Sequence, residues 1–251
     1  MLKMTGKEQI TIEDVLLDRK SVTEQIAITM AHTINNTIGY IFSDLNVIKE
    51  YFENIATKKG EDIKDDAKDC LKEMGAGAEK IRKMARSLSV FTTSGYRTTP
   101  ADLGESIDCT LDLFYFNEVA PPEKEYSKGL SNLNIDYSEI NHALFDIFRC
   151  IELYRKETGK EISSEKKMKI KTERKEGGTI LITVTYGEHM PNILNVLGVN
   201  YARSEEGRKM GGIGFLVAQY LMRKNSGDLY IESSKYETVF ELEFKEREIK
   251  E

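Results

Sequence analysis

Cysteine is scarce in this chain: Cys70, Cys109 and Cys150 are the only three in 251 residues. Odd in number and without metal-site spacing, they exclude a disulfide framework, and reduced thiols in the cytoplasm are expected. A basic excess is also missing. With 36 Lys and Arg against 42 Asp and Glu, the net charge is −6, which excludes a broad electrostatic grip on nucleic acid. No basic-then-apolar leader opens the chain, and it holds no internal repeat or low-complexity tract. One charge-free run, Gln25 to Ser43, approaches a membrane span in length. It contains His32, Asn35 and Asn36, each costly in lipid, so no membrane segment is expected.

What is present divides into two halves. At 40% hydrophobic and 31% charged, the composition is that of a soluble protein with one large or two modest domains. Over residues 20–93, Ala27, Ala31, Ile34, Ile38, Ile41, Leu45, Ile48, Phe52 and Ile55 advance in steps alternating between three and four. So do Ile63, Ala67, Cys70, Met74, Gly77, Ile81, Met84, Leu88 and Phe91. Such spacing keeps one seam of each helix facing a partner. The polar break "ATKKGED" between the runs predicts an antiparallel hairpin. Two helices leave much of their seam wet, so two hairpins are expected to form a dimeric four-helix bundle over residues 1–97. After "TTSGYRTTPAD", a linker marked by Pro100, the period changes. Helices over about 102–113 and 138–155 interleave with strands near 132–135, "MKIKTE", "TILITVTY", "GDLYIES" and "TVFELEF". They predict an α/β sandwich over residues 98–251, with Lys156 to Lys167 as a surface loop.

His32 follows the seam residue Ala31, so it is rotated about 100° off the seam. Asn36, Gly39, Tyr40 and Ser43 share its face, which carries no charge over nearly three turns. A solvated helix face would carry Lys and Glu. This one predicts a docking surface for another protein. No His, Cys or carboxylate lies three or four residues from His32, so it is not read as a metal ligand.

"AHTINNTIGYI" resembles the phosphoacceptor box of sensor histidine kinases, which usually runs Ala-His-Glu-hydrophobic-Asn-Asn-Pro-Leu. "GGIGFLVAQYLMRKNSGDLYIES" looks like the second glycine box of that family, with its helix and closing strand. The resemblance implies a dimerisation and phosphoacceptor hairpin followed by a histidine-kinase-type ATPase-like sandwich. It makes His32 the phosphoacceptor with Asn36 beside it. Asn35, Gly39, Tyr40 and Ser43 would then seat the receiver domain of a response regulator.

The departures from the family pattern follow a direction. The carboxylate after the phosphoacceptor is Thr33, which cannot act as a base near neutral pH, and the later proline is Thr37. "INHALFDIFRCIELY" resembles the asparagine box, with Asp146 and Cys150 at its two asparagines. A thiol is a poor magnesium ligand. In "VTYGEHMPN" the adenine-reading aspartate falls on Tyr186, and Glu188 and Met190 replace glycines. Met210 takes the first glycine of the second box, while Gly212 and Gly214 remain. Positions that carry the fold are kept and positions that carry the nucleotide are lost. The expected function is a histidine phosphotransferase of a phosphorelay: a cytoplasmic homodimer with no cofactor, no metal, and no nucleic-acid or membrane partner. The alternatives are a soluble histidine kinase using ATP through an unusual site, and a non-catalytic dimer that binds a response regulator.

Overall fold

A capping box starts the first helix. In the computed structural model, the Thr11 hydroxyl accepts from the Asp14 amide at 3.2 Å, and the Asp14 carboxylate accepts from the Thr11 amide at 2.9 Å. That pairing satisfies orphan donors of the first turn, so α1 (Ile12–Asn54) begins well before the heptad pattern. The structure describes residues 11–55, 64–92, 102–114, 122–131, 133–158, 168–190 and 212–246. "ATKKGED" and nearly all of "TTSGYRTTPAD" lie outside these residues.

The second helix, α2 (Lys64–Thr92), returns along α1. Met30 shares a buried cluster with Met84, and further along α1 Thr37 and Ile41 meet Gly77, so the pair is antiparallel. A Cβ at Gly77 would stand 3.1 Å from the Thr37 methyl and 3.3 Å from Ile41, so those side chains would have to give by a few tenths of an ångström. The predicted α2 seam from Ala67 to Phe91 is buried or half-buried; Ile63 lies outside the described residues.

The predicted α1 seam needs correction. The side chains turned into the hairpin are Val22, Ile26, Met30, Thr33, Thr37 and Ile48, with Ile34 and Ile41 half-buried. Ala27, Ala31, Ile38, Leu45, Phe52 and Ile55 are exposed. The reason is local. The Thr33 and Thr37 hydroxyls bond back to the carbonyls of Thr29 (2.9 Å) and Thr33 (2.8 Å). With its polar group satisfied on its own helix, a threonine can be buried like a small apolar residue. The helix therefore has two apolar stripes, one covered by α2 and one open.

In the second half, five strands form one mixed sheet in the order β1-β2-β3-β5-β4. They are β1 (Glu123–Tyr126), β2 (Met168–Arg174), β3 (Thr179–Tyr186), β4 (Asp228–Ser233) and β5 (Thr238–Lys245). Only β1 and β2 pair in parallel; the other neighbours are antiparallel. Three helices, α3 (Leu103–Phe114), α4 (Tyr137–Thr158) and α5 (Gly212–Lys224), close the core on Ile147, Phe148, Phe215, Phe240 and Phe244. The strand expected near 132–135 is absent among its described residues. Ser131 makes an isolated bridge to Asp102, and Leu133 and Ile135 are buried in the turn before α4. The real strand is β1, whose "EKEY" has no apolar alternation because it is an exposed edge. Lys156 to Thr158, expected as loop, extend α4, and residues 159–167 lie outside the described set.

The halves pack on each other. Val22, Ile26 and Met30 of α1 and Met84 and Phe91 of α2 share a buried cluster with Leu113 of α3 and Phe145 of α4. Among the described residues, no helix is long and apolar enough to cross a membrane.

Candidate functional site

His32 stands on a third side of α1, off both apolar stripes and exposed. Its Nδ1 lies 3.3 Å from the Asn36 amide nitrogen, one turn along the same face. Asn35, Asn36, Gly39, Tyr40 and Ser43 are all exposed, and Tyr40 is 72% so. Thr33 turns inward beneath them, 2% exposed, with its hydroxyl on a backbone carbonyl. The residues predicted around His32 thus lie along one open helical face, with Asn36 in contact with the imidazole.

The positions expected at a nucleotide cleft are built differently. Asp146 lies at the centre of a buried charge cluster that includes a residue from the other half of the chain, Asp18 of α1. Asp18 meets His142 Nε2 at 2.9 Å through one carboxylate oxygen and Arg149 Nη2 at 2.5 Å through the other. The same Arg149 nitrogen lies 3.1 Å from Asp146 Oδ1, and His142 Nε2 lies 3.5 Å from Asp146 Oδ2. Phe91 of α2 stacks on His142 with ring centroids 5.8 Å apart.

Burial and charge pull these groups apart. Burial pushes the Asp18 carboxyl up, but its hydrogen bond to His142 and the charge of Arg149 outweigh that and hold it below the usual carboxylate value. Asp146 is pushed up to about 7, first by burial and then by the Asp18 charge. Burial lowers Arg149, yet the two carboxylates raise it further, so it stays charged. Cys150 is pushed up to about 12 by burial and is a neutral thiol.

Gly212 opens α5, and Gly214 faces the cluster. A Cβ at Gly214 would run into the Arg149 guanidinium and stand 2.7 Å from Asp146 Oδ1. Here the glycine makes room for the chain's own guanidinium. Tyr186 is buried at the end of β3, its hydroxyl pushed up to about 12 by burial and then by Glu188. Met190 is 1% exposed, and its amide donates to Ser233 (3.2 Å) and Thr238 (3.1 Å). Side chains fill the place where the resemblance puts glycines. Met210 lies outside the described residues.

Asp18, His142 and Asp146 each bring a ligand-type atom within 4.8 Å of the others. They do not fit a divalent ion. Arg149 already contacts both carboxylates, so a dication would leave the buried cluster with a surplus positive charge, which burial opposes. A proton on Asp146 instead lets the Asp18 and Arg149 charges balance.

Sequence reasoning missed Asp18, His142 and Arg149. His142, Asp146 and Arg149 recur at steps of four and three on one helix face, which is a legible signal. Asp18 is an acid near the start of a long helix, and nothing beside it marks it.

No family model matches the sequence, and no curated protein matches it. Among solved structures, the Acinetobacter baumannii histidine kinase AdeS aligns over 82% of this chain and 96% of its own, at 11% identity and a TM-score of 0.42. A structure described as a bacterial phosphotransferase covers 93% of this chain and 98% of its own, at 13% identity and a TM-score of 0.42. The catalytic domain of the histidine kinase ThkA covers 60% of this chain and 97% of its own, at 15% identity and a TM-score of 0.45. Similarity at this level is too distant to assign a function, which rests instead on the residues of this chain.

Proposed function

We propose that the chain is a histidine phosphotransferase of a two-component phosphorelay, working as a cytoplasmic homodimer and using neither ATP nor a metal of its own. The observation that carries this reading is the exposed His32 with Asn36 at 3.3 Å on an uncharged helical face. A neutral imidazole is a nucleophile, and an acyl phosphate is already activated, so no base is needed beside it. As placed, the Asn36 amide nitrogen donates to Nδ1 and orients the ring; tautomer exchange with water frees the Nε2 lone pair for attack. The nitrogen attacks the phosphorus of a receiver's phosphoaspartate. A P–N bond forms, the P–O bond to the carboxyl breaks, and its electron pair leaves on the carboxylate. The proton goes to solvent. A second receiver's aspartate takes the phosphoryl group by the reverse step. Positioning and charge stabilisation dominate such transfers, and the receiver supplies the Mg²⁺. Asn35, Gly39, Tyr40 and Ser43 form the seat for the receiver.

The dimer follows from the open stripe of α1. Ala31, Ile38, Phe42, Leu45 and Phe52 are exposed in the single chain, at a spacing suited to helix packing. Two such hairpins give a four-helix bundle that covers both.

The test is transfer of label from a phosphorylated receiver. Wild-type chain is expected to take acid-labile, base-stable label, His32→Gln to take none while still dimerising, and His142→Gln and His189→Gln to take as much as wild type. Label persisting in His32→Gln would falsify the assignment. No label on wild type favours a non-catalytic binding dimer, and label from ATP alone favours a kinase.

A further inference from the structure

The cluster around Asp18 joins the two halves of the chain, and its composition separates it from ordinary core. Asp18 is 3% exposed and reaches residues 124 and 131 positions away. Both Asp146 oxygens are buried without a hydrogen-bond partner and rely on the nearby Arg149 and His142 charges. Beside the cluster, a cavity of about 430 Å³ separates α1 from α4, lined by Leu17, Ser21 and Gln25 on one side and Glu152, Leu153 and Lys156 on the other. The junction at this point is therefore held by charged contacts next to an unfilled space, where a core would have close-packed apolar side chains.

We propose that Asp18 is a latch: the hairpin's own carboxylate, seated between His142 and Arg149 in front of Gly214, holds the sandwich at the foot of α1, and the junction opens as a unit when that contact is lost. The latch has a positional consequence. His32 lies fourteen residues beyond Asp18, about 21 Å along the helix axis. A latched sandwich keeps its cleft at Asp18 and leaves the His32 face clear. The proposal concerns the junction and stands whether or not His32 accepts phosphate.

The charges facing the cluster are few. From α1 come Asp18 and Arg19, the latter 3.8 Å from Glu139. From α4 come Glu139, His142, Asp146, Arg149 and Glu152, with the Cys150 thiol and with Lys156 paired to Glu152 at 3.3 Å. From α5, Gly214 brings no charge and Lys224 is bound to Glu139. From α2, the contact is the Phe91 ring. With Asp18 and Arg149 ionised, a protonated Asp146 leaves these three groups neutral together. Losing that proton leaves a buried negative charge and weakens the latch as pH rises past about 7.

Hydrogen exchange on the full chain tests this. In Asp18→Ala, amides of residues 12–22 and 212–218 are expected to exchange at least about tenfold faster, with β3 and β5 unchanged. Ser21→Ala, on the rim of the cavity, should behave as wild type. In wild type, the same two segments should open more as pH rises from 6 to 8.5, after correction for intrinsic rates, while the sheet does not. Unchanged exchange in Asp18→Ala overturns the proposal. So does an increase spread evenly over the sheet, or a chain that fails to fold, since either makes the cluster part of one cooperative core. A pH-independent wild-type profile overturns it without any variant.

Discussion

Asp146 carries the clearest pH signature in the molecule. Its carboxyl is pushed up to about 7 from an ordinary 3.8, by burial first and by Asp18 second. Between those values the folded chain holds a proton that the unfolded chain has released, so this group's contribution falls as pH rises through that window. Asp18 works the other way. Its folded value is depressed, so its contribution is present above pH 3.8 and lost as pH falls through the folded value. Asp146→Asn keeps the shape of the side chain and removes the ionisation, while Asp18 is common to both chains. The variant should melt higher than wild type at pH 8 and nearly level with it at pH 4.5. Each pH unit of offset is worth about 1.4 kcal/mol, and each kcal/mol about 2–4 °C in a chain of this size. Scanning calorimetry at the two pH values checks it, and a gap that does not change with pH would sink the idea. This site was half legible. The resemblance to an asparagine box picked out Asp146 and Cys150, but the box suggests a cation or a nucleotide. What Asp146 faces is Asp18, brought from another part of the chain by a fold that no local pattern encodes.

Among the elements, α1 shows where pattern reading reaches its limit. Steps of three and four gave the right element and the right kind of partner, since spacing depends only on helix geometry. They did not give which of two adjacent stripes lies inside. That choice rests on Thr33 and Thr37, which look polar in sequence but satisfy their hydroxyls on their own helix and let α2 approach at Gly77. The edge strand β1 escaped for a related reason: it faces solvent, so its "EKEY" carries no apolar beat. The two stripes of α1 make separable predictions. A charge at Ile48, 9% exposed, should loosen the hairpin itself at a cost of several kcal/mol, because the buried charge has no partner. A charge at Phe42, 63% exposed in the single chain, should leave helix content intact and turn a dimer into a monomer. Sedimentation together with circular dichroism on Phe42→Glu and Ile48→Glu separates the two. A wild-type chain that sediments as a monomer at micromolar concentration would remove the four-helix bundle.

For the whole molecule, the hairpin exposes His32, while the sandwich carries buried side chains at positions that the resemblance assigns to a nucleotide. Under the proposed phosphotransferase reading, three features weigh against a nucleotide. Tyr186 is buried where the resemblance puts the adenine-reading aspartate, and Met190 where it puts a glycine. Cys150, a neutral buried thiol, offers magnesium a soft ligand in place of a hard oxygen. In front of Gly214, where the resemblance puts phosphates, stand Arg149 and Asp146, and Asp18 pairs with Arg149. Displacing Asp18 would leave Arg149 free to meet an anion, but the adenine end would still be packed with side chains. Calorimetric titration of the wild-type chain with ATP and Mg²⁺ is therefore expected to give no saturable heat at millimolar nucleotide. Asp18→Ala should give none either, because opening the latch restores neither the carboxylate that would read the adenine amine nor the space for the ring. Micromolar affinity in wild type would show that the buried side chains move aside for the nucleotide, and would move the assignment from phosphotransferase to ATP-dependent kinase. Binding only in Asp18→Ala would instead show that the latch alone closes the cleft, with the adenine end intact behind it.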